Sequence, residues 1–571
     1  MTPRQRQFLL LILALFASLR LIHLAQLVDS PALVQHQWPD SDMFAFWHWS
    51  DNIAAGDLLS RQPQRPPTSW HIDVAHTYLR LAPWDPASKL TDNQAVQTLW
   101  QRWQGGAQFY QEPLYPYLLA PLRLLQLPIL LVFLAQMLLG LLGLWLLIDA
   151  TRRLLGPREA LLAGLLATLC GPLAYYESLL LRETLAITLM WLLLRQWSLA
   201  RARVDVRIWA SVGLCAGLCL LTRAAILPFV LILLLFSLRQ SWRSRLLGWL
   251  LGLSLPLGLL ILRNVLVQAP PFALAGGGIF AILAANLPGA DPWQGLILDP
   301  AQLAQLLAGA DNRPLRLLHH AWLQWPHPGP LLALQLRKIA VLLHNHEIPN
   351  NASFLFYRQH APILKLLPVS FGIALPFGLL GMLHAVRQRR GLVLVLLALV
   401  QTLPLLILQP LSRYRLPLLA VLLPLMALAL VTLWDQARQH RPKQWIPALL
   451  LTLSLLVFLY RPLPRIVPPT RAVDHLVAWQ FWTLPRMQRA MAQQNSPELI
   501  ETFQLFLRGE PTDLLFWPPE LRDDQRKIAR VYADAHGILA QVLEQQKEMA
   551  DAQLQRNLAE KLKQLANQQG E

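Results

Sequence analysis

The sequence repeatedly runs for about 20 apolar residues without a charge, which is the length an α-helix needs to cross the hydrocarbon core of a bilayer. Of its 571 residues, 54% are hydrophobic and only 15% are charged. The pattern therefore predicts an all-α, polytopic membrane protein. The first apolar segment is interpreted as an uncleaved span, because Arg20 and His23 interrupt it and no clear small-residue cleavage site follows it.

The positive charge of the chain reports orientation rather than nucleic-acid binding. The net charge is +17, but Lys and Arg cluster in every second short connection between apolar segments. Positively charged connections stay on the cytoplasmic side of a membrane. About 11 transmembrane helices fit this alternation best, at residues 8–28, 128–149, 158–174, 179–197, 207–221, 224–238, 246–264, 366–386, 391–409, 416–434 and 446–460.

If the N-terminus is cytoplasmic, this alternation of basic and non-basic connections places two long loops and the C-terminal tail outside. The predicted organisation is a transmembrane domain over residues 1–460, with a first external loop at 29–127 and a second large external loop at 265–365. Seven tryptophans in the first loop indicate amphipathic helices at the membrane surface. A proline-rich connector then leads to a periplasmic helical region over residues 461–571. That region carries no catalytic signature, and we expect it to dock onto the external loops.

Carboxylates cluster in the first external loop. Asp40 and Asp42 stand at the start of a segment with a helical pattern, which Gly56 is suited to end. Aspartate is a favoured helix N-cap, so a capping role is an even alternative to a chemical role for either residue. Glu112 opens a second block in the same loop that runs to Tyr117.

These features resemble the GT-C glycosyltransferases, in particular the branch of protein O-mannosyltransferases and lipid A aminoarabinose transferases. The resemblance covers about the first 430 residues. Its carriers are Asp40-Ser41-Asp42, Ile53-Ala54-Ala55-Gly56-Asp57, the block Glu112 to Ala120, the weaker Asn345 to Asn351, and Ser412-Arg413-Tyr414-Arg415-Leu416-Pro417.

The resemblance implies a sugar donor carried on a polyprenyl phosphate and an aspartate of the first external loop that acts on the acceptor. This role falls on Asp42, with Asp40 as the second choice. The chemistry agrees, because an acceptor hydroxyl needs a general base as it attacks the anomeric carbon. Direct displacement would invert that carbon. Many relatives have Asp-Glu where this chain has Ser41-Asp42.

Three arginines lie at the external ends of predicted spans, against the positive-inside trend. Arg223, Arg413 and Arg415 are therefore candidates for binding the donor phosphate, which a guanidinium can hold through two hydrogen bonds. The alternative is that they extend towards outer-leaflet headgroups. Glu112 and three tyrosines are expected to shape the cavity: Tyr115, Tyr117 and Tyr414.

The sequence does not decide whether the site binds a metal ion. Asp42 and Glu112 could bind a divalent cation that bridges the carrier phosphate, but pairing of Glu112 with Arg102, or its solvation, is an equal alternative. No soluble cofactor is implied. Arg182 with Glu183 is expected to form an intramembrane pair that Glu177 could join.

The sequence therefore predicts a glycosyltransferase of a bacterial inner membrane, multi-pass, with its active site on the periplasmic side. Its partners would be a polyprenyl-phosphate sugar donor, the bilayer, and a lipid, glycan or protein acceptor, with no nucleic acid. The alternatives are a lipid or glycan transporter or flippase, and a catalytically inactive scaffold of the same fold.

Overall fold

The computed structural model describes residues 2–28, 30–39, 41–64, 66–238, 242–292, 298–310, 313–461, 472–511, 513–516 and 523–567. Throughout these ranges the regular structure is helical, apart from one parallel bridge between Cys170 and Val369. In chain order the α-helices are α1 (Pro3–Gln26), α2 (Asp42–Ala54), α3 (Ser69–Leu81), α4 (Asp92–Trp103), α5 (Leu114–Leu124), α6 (Ile129–Leu154), α7 (Pro157–Thr168), α8 (Gly171–Tyr176), α9 (Glu183–Ala200), α10 (Val206–Thr222), α11 (Leu227–Ser237), α12 (Trp242–Leu266), α13 (Gly278–Asn286), α14 (Pro300–Ala310), α15 (Pro314–Leu323), α16 (Pro328–Leu343), α17 (Phe354–His360), α18 (Phe371–Arg387), α19 (Leu392–Ile407), α20 (Ser412–Arg438), α21 (Pro442–Tyr460), α22 (Ala472–Ala478), α23 (Leu484–Ala492), α24 (Ser496–Leu507), α25 (Asp523–Gln545) and α26 (Met549–Asn567).

The all-α polytopic fold is confirmed, and each predicted span falls on a helix. Five described helices, α1, α6, α12, α20 and α21, are long and apolar enough to cross a membrane, and four shorter helices are also apolar. The span predicted at 158–174 is two helices, α7 and α8. They separate because Pro172 has no amide to continue the helix, while the Gly171 amide donates to the Val369 carbonyl at 3.1 Å.

Helix α20 forms the centre of the bundle. Every residue from Leu416 to Ala429 is buried. α20 begins at Ser412, four residues before the predicted span, so Arg413 and Arg415 both lie in its first turn. The helix thereby carries two arginines from the loop side into the packed interior.

The two large external loops form one helical unit. Helices α3 and α4 of the first loop share a hydrophobic core with α13, α14 and α15 of the second, and Trp100 and Phe280 meet in it with ring centroids 5.8 Å apart. The Trp70 indole donates to the Leu298 carbonyl at 2.7 Å. Both loops therefore lie on the same side of the bundle, which we call the loop side.

Arg263, at the loop-side end of α12, holds the base of the first loop. Its guanidinium donates to the carbonyls of Leu59 at 2.8 Å, Ser60 at 2.9 Å and Ala107 at 2.7 Å. It also lies over the Phe109 ring, 3.8 Å from the centroid. Two separate segments of the loop are thus joined to one transmembrane helix by a single buried side chain.

Replacing Arg263 with glutamine is expected to destabilise this loop by about 1.5–3 kcal/mol, because buried carbonyls lose hydrogen bonds to a charged donor. Hydrogen exchange at residues 57–61 and 105–110 in the purified protein measures the effect. Arg61→Gln is the matched control, since Arg61 is an exposed arginine of the same loop. Equal exchange in both variants would contradict the assigned role of Arg263.

The C-terminal helices dock onto the second external loop. The ring of Phe356 in α17 lies 5.5 Å from that of Trp482 and 6.5 Å from that of Phe506. The long last helix expected over residues 523–565 is a pair, α25 and α26, because Lys547 adopts a left-handed backbone conformation with φ of 66°. The two helices pack against each other, and their buried residues continue the main hydrophobic core of the protein.

Candidate active site

Helix α2 places Asp42 at its first turn and leaves the carboxylate available to other partners. Ser41 is the N-cap: its hydroxyl oxygen accepts from the Phe44 amide at 3.1 Å and donates to the Trp38 carbonyl at 2.8 Å. The alternative that Asp42 caps this helix is therefore wrong. Asp40 lies outside the described residues.

The Asp42 carboxylate joins a network with one arginine and a second acid. Arg413 donates from Nη1 to Asp42 Oδ2 and from Nε to Glu183 Oε1, the latter at 2.6 Å. Gln111 donates to Asp42 Oδ1 at 2.9 Å. The Asp42 side chain is 21% exposed, against 3% for Arg413 and 1% for Glu183. Asp42 is therefore the solvent-accessible end of a buried charge network.

Arg223 lies beside the same network. It follows the last residue of α10, and its Nη1 is 3.9 Å from Glu183 Oε1. Its guanidinium is 5.4 Å from the centroid of the Tyr414 ring. Within the described part of the chain, Nη1 of Arg223 is buried without a hydrogen-bond partner. The Nη1 group of Arg223 could therefore donate a hydrogen bond to an anion.

The carboxylate of Glu112 is bound by Arg182 and not by Arg102. Arg182 forms an ion pair with Glu112 Oε2, and the Ala224 amide donates to Oε1 at 2.7 Å. Burial acts to raise the pKa of Glu112, but Arg182 and the Ala224 amide outweigh it, so the pKa is lowered. Pairing with Arg102 is wrong, because that residue binds Asp85 at 2.5 Å.

The expected grouping of Arg182, Glu183 and Glu177 is also wrong. Arg182 binds Glu112 and Glu183 binds Arg413, since neighbouring residues at the start of a helix point in different directions. Glu177 instead pairs with Arg20 of α1 at 2.7 Å. The acids and arginines of the bundle are thus sorted into separate pairs.

Arg415 is placed apart from Arg413 by the helix itself. Two residues along an α-helix project about 200° apart. Arg415 donates to the carbonyls of His344, at 2.8 Å, and His346, and contacts Glu347 Oε2 at 3.3 Å. We therefore do not assign it to the donor phosphate, because these contacts tie α20 to the second loop.

Two of the three tyrosines make structural hydrogen bonds. Tyr115 is buried and donates to Gln136 Oε1 at 2.7 Å. Tyr117 donates to the Leu58 carbonyl at 2.6 Å and so braces the first loop. Tyr414 alone lies next to the network, under Arg223.

The carboxylates as placed do not fit a shared cation. Asp42 is bound by Arg413 and Gln111, and Glu112 by Arg182 and a backbone amide. In the described ranges, no three His, Cys, Asp or Glu side chains are grouped as a metal ion requires. The combination of Asp42 with Glu112 as metal ligands is not supported by this geometry.

Sequence reasoning overlooked Gln111 as a member of the site and assigned Glu183 to the wrong pair. Gln111 directly precedes Glu112, but a glutamine in a loop gives no signal of its own. Glu183 does give one, because an ionisable residue within a transmembrane segment marks a functional or structural pair. What the sequence lacks is the identity of its partner, 230 residues further along the chain.

Comparison with known proteins supports a glycosyltransferase. Residues 111–266 match the family model described as dolichyl-phosphate-mannose-protein mannosyltransferase. The GT-C resemblance is confirmed over this segment. It contains Glu112, Arg182, Glu183 and Arg223, whereas Asp42 and the α20 arginines lie outside it. No curated protein matches the chain.

Solved structures from one archaeal organism also match the chain, at low sequence identity and with low TM-scores. The apo oligosaccharyltransferase of Archaeoglobus fulgidus is 15% identical, with a TM-score of 0.36, over 88% of this chain and 59% of that one. The oligosaccharyltransferase AglB of the same organism, in complex with an inhibitory peptide and a dolichol-phosphate, is 17% identical, with a TM-score of 0.32, over 85% and 59%. This chain thus spans less than two thirds of the length of these proteins.

Proposed function

We propose that this multi-pass membrane protein transfers a sugar from a polyprenyl-phosphate donor to an acceptor hydroxyl on the loop side of a bacterial inner membrane, which would be the periplasmic side. The observation that carries the proposal is the pairing of Asp42 with Arg413, beside Arg223, where membrane helices meet the external loops. A partly exposed carboxylate there lies next to cationic side chains at the membrane boundary.

The proposed reaction assigns Asp42 as general base. It takes the proton of the acceptor hydroxyl while that oxygen attacks the anomeric carbon and forms the new glycosidic bond. The bond from the anomeric carbon to the phosphate oxygen breaks, and the electron pair leaves with the polyprenyl phosphate. Because attack and departure occur on opposite faces, the product has the inverted configuration.

Arg223 and Arg413 are proposed to bind the phosphate group of the donor. Charge-assisted hydrogen bonds from guanidinium to phosphate are stronger than hydrogen bonds between neutral groups. Their contribution to binding is larger in an environment that excludes water. Arg413 is already held by two carboxylates, so Arg223, with its buried Nη1, is the better-placed first contact. Tyr414 supports the Arg223 guanidinium through its ring.

The test uses purified protein in lipid nanodiscs with a panel of radiolabelled polyprenyl-phosphate sugars. Appearance of free polyprenyl phosphate, together with transfer of the label to an added acceptor, supports a glycosyltransferase. Movement of intact donor across proteoliposomes without cleavage would indicate a flippase. Folded protein that releases no carrier phosphate from any donor would indicate an inactive scaffold.

Replacing Arg223 with glutamine is expected to raise KM for the donor about 10- to 100-fold, which corresponds to the loss of one charge-assisted contact. Steady-state kinetics at varied donor concentration measure it. Arg207→Gln is the matched control, since Arg207 is exposed near the other end of α10. An unchanged KM for the donor would remove Arg223 from the proposed phosphate site.

A further inference from the structure

Helix α16 of the second external loop turns an apolar face outward. Leu332, Leu336 and Ile339 recur at helical spacing and are 61%, 58% and 40% exposed. On the opposite face, Leu334 and Val341 are buried. Contact of such an exposed apolar face with water is unfavourable, so the face is expected to have a partner of its own besides the protein core.

The preceding helix repeats this pattern. In α15, Leu315, Leu318 and Trp322 lie on one face and are exposed, whereas Leu317 and Ala321 are buried. Tryptophan is enriched where lipid meets water, because its ring is apolar and its indole N–H can stay hydrated. Two consecutive helices therefore present the same kind of surface.

The contacts of Lys338 place α16 at the boundary of the membrane. Its amine donates to Asn286 Oδ1 of α13, in the external helical unit, at 2.8 Å. It also donates to the Leu406 carbonyl, one residue before the loop-side end of α19, at 3.4 Å. α19 is one of the shorter apolar helices of the bundle. α16 therefore covers the side of the junction between the membrane helices and the external unit.

The C-terminal end of α16 lies at the same level. His344 follows the last residue of α16, and its carbonyl accepts from Arg415 in the first turn of α20 at 2.8 Å. From Lys338 to His344 is about 9 Å along a helix. Both residues are bound at the loop-side ends of bundle helices, so this part of α16 runs along the membrane boundary. Its apolar face points away from the protein at that level.

The charge of this region favours an anionic surface. Residues 313–343 contain Arg313, Arg316, Arg337 and Lys338, and no aspartate or glutamate. Arg337 is exposed beside the apolar face of α16, and Arg313 is exposed just before α15. Helices that lie in a membrane surface combine an apolar face with nearby cations, which attract anionic lipid headgroups.

We propose that the apolar face of α16 inserts into the loop-side boundary of the bilayer and that this contact prefers anionic lipids. α15 continues the contact through Trp322. The lipid surface would thereby fix the height of the second external loop above the bundle, because Arg415 joins the end of α16 to α20. This inference does not depend on the proposed reaction.

The experiment measures how deeply α16 lies in the bilayer of nanodiscs. A nitroxide spin label is attached to Leu336→Cys in the full-length protein. Its accessibility to oxygen, which concentrates in lipid, is compared with its accessibility to a neutral nickel chelate, which stays in water. Leu554→Cys is the matched control, since Leu554 is 55% exposed on α26, a helix that also carries acidic residues. Wild-type protein taken through the same labelling measures any reaction of the buried native cysteines.

The label at Leu336→Cys is expected to be more accessible to oxygen than to the chelate, and the label at Leu554→Cys to show the reverse. The ratio of the two accessibilities at Leu336→Cys is expected to rise about twofold or more when phosphatidylglycerol replaces part of the phosphatidylcholine in the nanodisc. This result would support both the membrane contact and its preference for anionic lipid.

A label at Leu336→Cys that behaves like the one at Leu554→Cys would overturn the membrane contact. Low accessibility to both probes would also overturn it, and would indicate that protein, such as a second copy of the chain, covers this face. Equal ratios in the two lipid mixtures would overturn the anionic preference. If Leu336→Cys does not fold, Leu332→Cys carries the same test from the same face of α16.

Discussion

Replacing Asp42 with asparagine is expected to lower kcat for sugar transfer by about 10²- to 10⁴-fold, the usual contribution of a general base. Asparagine has nearly the same shape, and its single side-chain oxygen can still accept from Arg413, while its NH2 group would face Gln111 and can donate to the Gln111 oxygen if that amide turns over. It cannot take the acceptor proton. The measurement is single-turnover transfer from a polyprenyl-phosphate sugar in nanodiscs, with the melting temperature of each variant recorded alongside.

Asp51→Asn is the matched control for this prediction. Asp51 lies on the same helix α2, is 39% exposed and pairs with Arg123 at 2.6 Å. Its replacement changes the same charge without touching the Arg413 network, so transfer should stay close to the wild-type rate. Undiminished transfer by a folded Asp42→Asn protein would exclude Asp42 as the base.

Replacing Arg20 with methionine is expected to destabilise the protein by about 3–5 kcal/mol, because it leaves a buried carboxylate without its partner. Arg20 is 2% exposed and binds both oxygens of Glu177, at 2.7 and 3.2 Å. It also donates to the Thr168 carbonyl at 3.2 Å. Reversible unfolding of the purified protein in mixed micelles measures the loss.

Two further variants test whether the unpaired Glu177 carboxylate causes the loss of stability. The double variant Arg20→Met/Glu177→Met removes both charges and is expected to recover most of the lost stability, because well-packed apolar residues often replace a buried pair without penalty. Arg4→Gln alters an exposed arginine of the same helix and should have little effect. A double variant as unstable as Arg20→Met alone would show that the unpaired carboxylate is not the cause.

The ion pairs show where prediction from sequence stops. Arg413 and Arg415 flank Tyr414 and look equivalent in sequence, yet one reaches Asp42 and the other holds the second loop. The difference depends on α20 beginning at Ser412, because the phase of the helix then sends the two side chains to opposite sides. The predicted span began at residue 416, so both arginines were placed at its external end and their relative directions could not be predicted.

Glu112 shows the same limit at longer range. From the sequence, the alternatives for this carboxylate were a divalent cation shared with Asp42, pairing with Arg102, and solvation. The folded chain brings it to Arg182, at the start of α9, and to the Ala224 amide, just past the end of α10. Such contacts follow from helix packing, which no local pattern of residues encodes.

The sequence by itself determined the all-α membrane architecture, the approximate positions of the apolar helices and the two long loops on one side. Burial of apolar runs and the alternation of charged connections act locally, so they can be read from neighbouring residues. Only the tertiary structure decided which acid meets which arginine, because those partners are up to 371 residues apart and are selected by how the helices pack.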